Sequence, residues 1–158
     1  MTNMRLTRSD SRLLDELQRD NTRNQSDLAE LAGMSRSSAS RRIREFEEQG
    51  LIERQVALLD PRMAGFNIQV LLSVSMTEHT DENRLAFENH VNRLDEVTEC
   101  FTVAGDRDYV LHVFAHDMES YTEFLNQEIL KHPAVRSAGS TFVLRRVKYT
   151  TRLPVKSG

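Results

Sequence analysis

The sequence predicts an α+β fold: an N-terminal winged helix-turn-helix followed by a ferredoxin-like βαββαβ domain. Three observations carry this. Apolar residues recur at helical spacing up to about residue 52, and from residue 68 the period changes, beginning with an alternating run to Met76. A turn, Gly33-Met34-Ser35, separates two short helical stretches in the manner of a helix-turn-helix. Beyond residue 68 the runs follow the order strand, helix, strand, strand, helix, strand.

Each element has its own signal. Leu13, Leu14 and Leu17 form a helical stripe opened by Thr7, Ser9 and Asp10, all good capping residues. Asn21-Thr22-Arg23-Asn24 breaks that helix. A second helix carries Leu28, Ala29, Leu31 and Ala32 on its apolar side and stops at Gly33. Ser35 caps a third, over 36–49, that ends at Gly50. The run 51–59 is β-capable and suits a wing or a connecting strand, and Pro61, Gly65 and Asn67 mark a hinge. Ile68, Val70, Leu72, Val74 and Met76 give the first strand one apolar face. Phe87, Val91 and Leu94 recur at helical spacing within 81–95. Strands are expected over 97–104 and 109–115, joined by Gly105-Asp106-Arg107-Asp108. Asp117 opens the last helix, Pro133 ends it, and Val135 with 141–149 supplies the last strand. The expected domains are therefore 1–52, a linker over 53–67, 68–150, and a tail over 151–158. Leu71 and Cys100 are assigned to the sheet face without helices, which would leave apolar surface exposed in a single copy, so self-association is expected.

Composition narrows the function. The chain has 158 residues, 39% hydrophobic and 28% charged, an ordinary globular balance that excludes low-complexity and disordered classes. No apolar run spans a membrane, and residues 1–5 show no apolar leader. A lone cysteine cannot form an internal disulfide, so a cytoplasmic protein without a cysteine-based zinc site is expected. His112 and His116 stand four apart on or just after a strand, a poor geometry for a metal, and no cofactor motif is present.

The net charge of −3 argues against nucleic acid, but the distribution argues for it. Only three of the 21 basic residues are lysine, and Arg36, Arg41, Arg42 and Arg44 fall within nine positions. In the third helix Ala39, Ile43 and Phe46 make the buried stripe, while Ser37, Arg41 and Arg44 lie opposite with Ser40 beside them. Small polar residues and forked donors are what a helix entering the major groove of double-stranded DNA needs. Arg36 sits at the helix start, where it can reach a phosphate, Arg42 points towards one flank, and Ser35 at the cap is a further candidate contact residue. The first amides of the second helix, around Gln25 and Ser26, can hold a phosphate. The plainer reading is a solvated helix, which Glu45, Glu47 and Glu48 favour.

In order and spacing, several segments together resemble the Lrp/AsnC (leucine-responsive, feast/famine) transcription regulators. They are the run 27–35 (DLAELAGMS), the run 42–52 (RIREFEEQGLI), Leu59-Asp60-Pro61, and the hairpin 103–109 (VAGDRDY). The resemblance implies DNA binding by dimers through the winged helix-turn-helix. It also implies assembly through the C-terminal domain, often to octamers, and binding of an amino acid or related small effector near the hairpin. Two positions depart from the family pattern. Gln55 stands where an aromatic residue is usual, and Arg107 where small or aromatic residues are common.

An amino acid needs acceptors for its ammonium and donors for its carboxylate. Asp106 and Asp108 offer the first, the Gly105 turn and Arg107 the second, and Ser140 and Thr141 can add hydroxyls. The plainer reading is an ordinary hairpin tip. Two further alternatives stand beside a regulator gated by an effector: an architectural DNA-binding protein without one, and a small-acid enzyme using the βαββαβ domain. No catalytic motif supports the last.

Overall fold

A computed structural model describes residues 5–158. The reading of the first residues as lacking an apolar leader falls largely on 1–4, outside the described residues. The chain divides into two compact units, Met1–Ala57 with Lys148–Gly158, and Leu58–Val147.

The first unit is a three-helix cluster. Helix α1 (Arg8–Arg19) begins with a reciprocal cap: the Thr7 hydroxyl accepts from the Asp10 amide, and the Asp10 carboxylate accepts from the Thr7 amide. Helix α2 (Gln25–Ala32) is capped by Asn24 and closed by Gly33 at φ +68°, a left-handed position that suits glycine. Helix α3 (Arg36–Glu48) starts at Ser35, whose hydroxyl accepts from the Ser38 amide. Leu13, Leu14, Leu28, Ala29, Ala32, Ala39 and Phe46 form the core, with Ile43 at its edge. Removing a fully buried leucine from such a core exposes a loss of about 2–5 kcal/mol.

Two expectations change in this unit. No strand forms over 51–59: Val56, Leu58 and Leu59 are exposed, and β-capable side chains make no strand without a partner ladder. Instead Gln55 donates to Glu47 and accepts from Asn21, tying the chain to the end of α3 by polar contacts. The C-terminal residues, expected as a tail over 151–158, return to α1. The Gln18 amide group exchanges two hydrogen bonds with the Leu153 backbone, Arg152 pairs with Asp15 at 3.2 Å, and Val155 packs on the core.

The second unit is a four-stranded antiparallel sheet with helices on one face. Its strands are β1 (Ile68–Met76), β2 (Val97–Thr102), β3 (Tyr109–Ala115) and β4 (Val135–Phe142), in spatial order β2-β3-β1-β4. Helices α4 (Asp81–Val91) and α5 (Met118–Phe124) supply Phe87, Val91, Tyr121 and Phe124 to a core with Val70, Leu72, Val74, Leu111 and Val113. A π-helical turn, Leu125–Ile129, continues α5 and buries Ile129. Strand β4 ends earlier than expected. Its pairing with β1 runs from Val135 to Phe142, after which only the Val143 amide still reaches Gln69.

Register assigns the faces. Residues directly opposite across a ladder point to the same side. Leu71, opposite His112 and Thr141, lies on the open face, as do Phe101 and Val110. Cys100 does not: it stands opposite the buried Leu111 and therefore shares the helix-bearing side, correcting its assignment to the open face. The shift in β2 pairing between Val97 and Glu99 displaces the strand's alternation by one residue.

Candidate nucleic-acid interface and effector hairpin

Packing of Ala39 and Phe46 against the first core fixes the rotation of α3. It leaves Arg36, Ser37, Arg41 and Arg44 exposed and Ser40 half-buried. These five form one polar face with short side chains towards its start. Arg41 lies 3.7 Å from Glu45, a loose contact on the surface. Gln25 and Ser26 are exposed at the first turn of α2, but Asp27 accepts from Asn24 there and already brings negative charge to the helix start.

Two of the expected contact residues are engaged inside the unit. Arg42 does not face outward. Its Nε and Nη2 donate to the two carboxylate oxygens of Asp10 at 2.8 and 2.9 Å, its Nη1 donates to Glu45 at 2.5 Å, and its guanidinium lies 4.7 Å from the Phe46 ring centroid. Burial pushes the Asp10 carboxyl up, but the Arg42 fork and the Thr7 amide and hydroxyl outweigh it and hold the carboxyl below its ordinary range. Arg42 thus locks α3 to α1, a role hidden in sequence because its partner lies in another helix. Ser35 is likewise the helix cap, and its hydroxyl also meets those of Ser37 and Ser38.

The hairpin between β2 and β3 sits where β1 ends. Gly105 has φ +136°, which only glycine adopts readily. Asp108 turns inward: its Oδ2 accepts from the Met76 amide at 2.7 Å, its Oδ1 lies 3.3 Å from His79 Nδ1, and its own amide donates to the Val74 carbonyl. Arg107 turns the other way, over the open face, where Nη1 donates to the buried Ser75 hydroxyl at 3.2 Å. Gly139 on β4 lies beside it: a Cβ there would stand 4.0 Å from Arg107 Nη2, an ordinary contact. Asp106 is exposed.

Ser140 and Thr141 are not brought together with this hairpin as a pair. Ser140, opposite Leu72, faces the helices and bonds to the Tyr121 hydroxyl at 2.5 Å. Thr141, opposite Leu71, lies on the open face, one same-face step beyond Gly139. On that face His112 joins Gln69 at 2.5 Å and Glu99 at 3.0 Å, while His116 stacks on Phe66 with centroids 4.5 Å apart, so the two histidines serve separate contacts.

Comparison with known proteins places both units. The model of the Lrp/AsnC ligand binding domain matches residues 69–153, and that of a winged helix-turn-helix DNA-binding domain matches residues 6–53. The leucine-responsive regulatory proteins of Klebsiella pneumoniae and Escherichia coli K12 are each 31% identical over 152 residues, covering 96% of this chain and 93% of theirs. A Neisseria meningitidis transcriptional regulator solved in complex with L-Met superposes with a TM-score of 0.90 at 32% identity, over 94% of this chain and 96% of that one. An AsnC family regulator from Agrobacterium tumefaciens gives 0.89 at 37%, over 94% and 97%.

Proposed function

Because the chain belongs to the Lrp/AsnC family of DNA-binding transcription regulators, we propose that it binds specific double-stranded DNA through α3 and is modulated by a small effector held at the β2–β3 hairpin. The observation that carries the first part is the exposed face of Ser37, Arg41 and Arg44, with Ser40 and Arg36 at its margins, on a helix whose opposite side is buried. Arginine forks can read guanine edges or clamp phosphates, and short serines permit close approach. Gln25 and Ser26 contribute backbone donors to a phosphate. Arg42 and Ser35 act indirectly, by holding the helix in place.

The effector part rests on the family and on the hairpin's chemistry. Gly105, Asp106 and Arg107 present a turn, an acceptor and a cationic fork, and the Neisseria meningitidis relative was solved with L-Met. The open sheet face exposes Leu71 and Phe101 beside Val110 and Phe114, which suits pairing with a second copy of the chain and assembly of the resulting dimers into larger rings. Among the described residues no helix is long and apolar enough to cross a membrane.

The deciding experiment measures binding of the full chain to DNA upstream of its own and neighbouring genes, at two salt concentrations, with and without amino acids. Selective binding that shifts with an amino acid supports the whole reading. Selective binding indifferent to every amino acid leaves an architectural DNA-binding protein. No binding at low salt overturns the role of α3.

A further inference from the structure

We infer that α1 and the returning residues 154–157 together form a second DNA contact, a basic groove that holds backbone phosphates beside the stretch read by α3. This rests on the DNA-binding reading above and adds a surface to it.

The groove lies wholly within the first unit, between α1 and residues 154–157. The returning chain is tied down along its length. Gln18 holds the Leu153 backbone by two bonds, Val155 packs on the core, and the Gly158 amide donates to the Leu6 carbonyl at 3.3 Å. Lys156 is thereby kept beside α1.

The charge of the groove points to an anion from outside. Arg8 and Arg12 stand one turn apart on α1, about 6 Å along its axis. Lys156 lines the same groove. All three are exposed, and among the described residues none of their side chains is ion-paired or hydrogen-bonded. One carboxylate lines the groove, that of Asp15, and it is already held by Arg19 at 3.0 Å and Arg152 at 3.2 Å. Like charges one helical turn apart repel. Three cations around a neutralised carboxylate therefore lack any internal relief, and a phosphate supplies it.

Position selects DNA among polyanions. Arg12 Nη1 lies 4.0 Å from where a Cβ on Gly33 would stand. Gly33 opens the turn that leads through Ser35 into α3. The groove thus begins beside the start of the helix that presents Arg36, Ser37 and Arg41. A duplex whose major groove admits the start of α3 brings its backbone past that turn. Arg12 meets it there, with Arg8 and Lys156 in the same groove. Contacts of this kind add affinity and fix register but carry no sequence information.

The test compares the full chain with its Arg8→Gln/Arg12→Gln/Lys156→Gln variant over a salt series. The probes are an upstream fragment that the native chain selects and an unrelated duplex of equal length. Each lost phosphate contact takes about 0.9 from the slope of log affinity against log salt. The variant should therefore show a slope shallower by about 2–3, and affinity for both duplexes at least tenfold weaker by a common factor. Its melting temperature should be unchanged or slightly raised, because repulsion is relieved. Lysine at positions 8 and 12, with Lys156 kept, should restore the slope. If the triple variant melts early, Arg8→Gln and Lys156→Gln singly decide, each lowering the slope by about 1. An unchanged slope in a variant that melts like the native chain overturns the inference while the α3 reading stands. So does a loss confined to the selected duplex, which would mark base readout. An altered assembly state with an unchanged slope assigns the groove to a second copy and overturns it as well. If the native chain binds neither duplex at low salt, the inference and the α3 reading fall together.

Discussion

Arg42 and Asp10 stand 32 residues apart in sequence and meet as a two-pronged ion pair, Nε to Oδ1 at 2.8 Å and Nη2 to Oδ2 at 2.9 Å. Asp10 is also the residue whose carboxylate accepts from Thr7 at the start of α1. One buried carboxylate thus serves both the cap of the first helix and the orientation of the third.

Replacing Arg42 by alanine leaves that carboxylate buried without its cation. Breaking a buried pair in this way costs about 3–5 kcal/mol. Urea unfolding of the full chain should show a loss at or below that range, since Thr7 still contributes its two bonds. Arg42→Lys, which keeps the charge but not the fork, should lie between. An unchanged midpoint in Arg42→Ala would remove the pair from the account of stability.

Acid should act through the same carboxylate. The folded Asp10 holds its proton less tightly than the unfolded chain does. Its stabilisation is therefore complete above the unfolded value, near pH 4, and is lost as pH falls through the lower folded value. Melting temperature followed from pH 6 to pH 2 should drop in that window. Asp10→Asn should flatten the drop, and an identical pH profile in the variant would contradict the assignment.

Arg41 and Arg44 should separate DNA affinity from folding. Arg41 makes only a loose surface contact with Glu45, so Arg41→Ala should change stability by less than about 1 kcal/mol. Operator affinity should fall by about 1–3 kcal/mol if the side chain reads a base. If it clamps a phosphate instead, the slope of log affinity against log salt should shrink by about 1. Arg44→Ala should behave likewise. Unaltered affinity and slope would place the residue outside the interface.

At the hairpin, Asp108→Ala strips the Met76 amide of its acceptor. A buried donor left unsatisfied costs about 1–3 kcal/mol. Hydrogen exchange should accelerate at Met76 and in the hairpin. Asp108→Asn, which keeps an acceptor oxygen, should restore most of the protection. Equal exchange in all three proteins would show that the hairpin is held by its backbone bonds alone.

The helices and strands were legible because their signals are local. Leu13, Leu14 and Leu17 repeat at helical spacing, Ile68 to Met76 alternate, and Thr7 and Ser35 cap helices that the pattern requires, while Asn24, read only as part of a break, caps the second. The exposed face of α3 followed from the same arithmetic, since burying Ala39 and Phe46 leaves Ser37, Arg41 and Arg44 no other side. The errors came where a residue's fate depends on a distant partner. The β-capable run 51–59 found no strand to pair with, β4 stopped where its ladder with β1 ran out, and Cys100 changed faces at a shift in pairing.

The sequence by itself determined the order of elements, the position of the turns and the family, because periodicity, caps and glycines act within a few residues. Only the tertiary structure decided which charged groups remain available. Arg42 and Arg44 look alike in the chain, as do Asp106 and Asp108, yet Arg42 is clamped on Asp10 and Asp108 on the Met76 amide. A charge is taken out of water only where a partner from another element compensates it, and that partner is named by packing rather than by sequence distance.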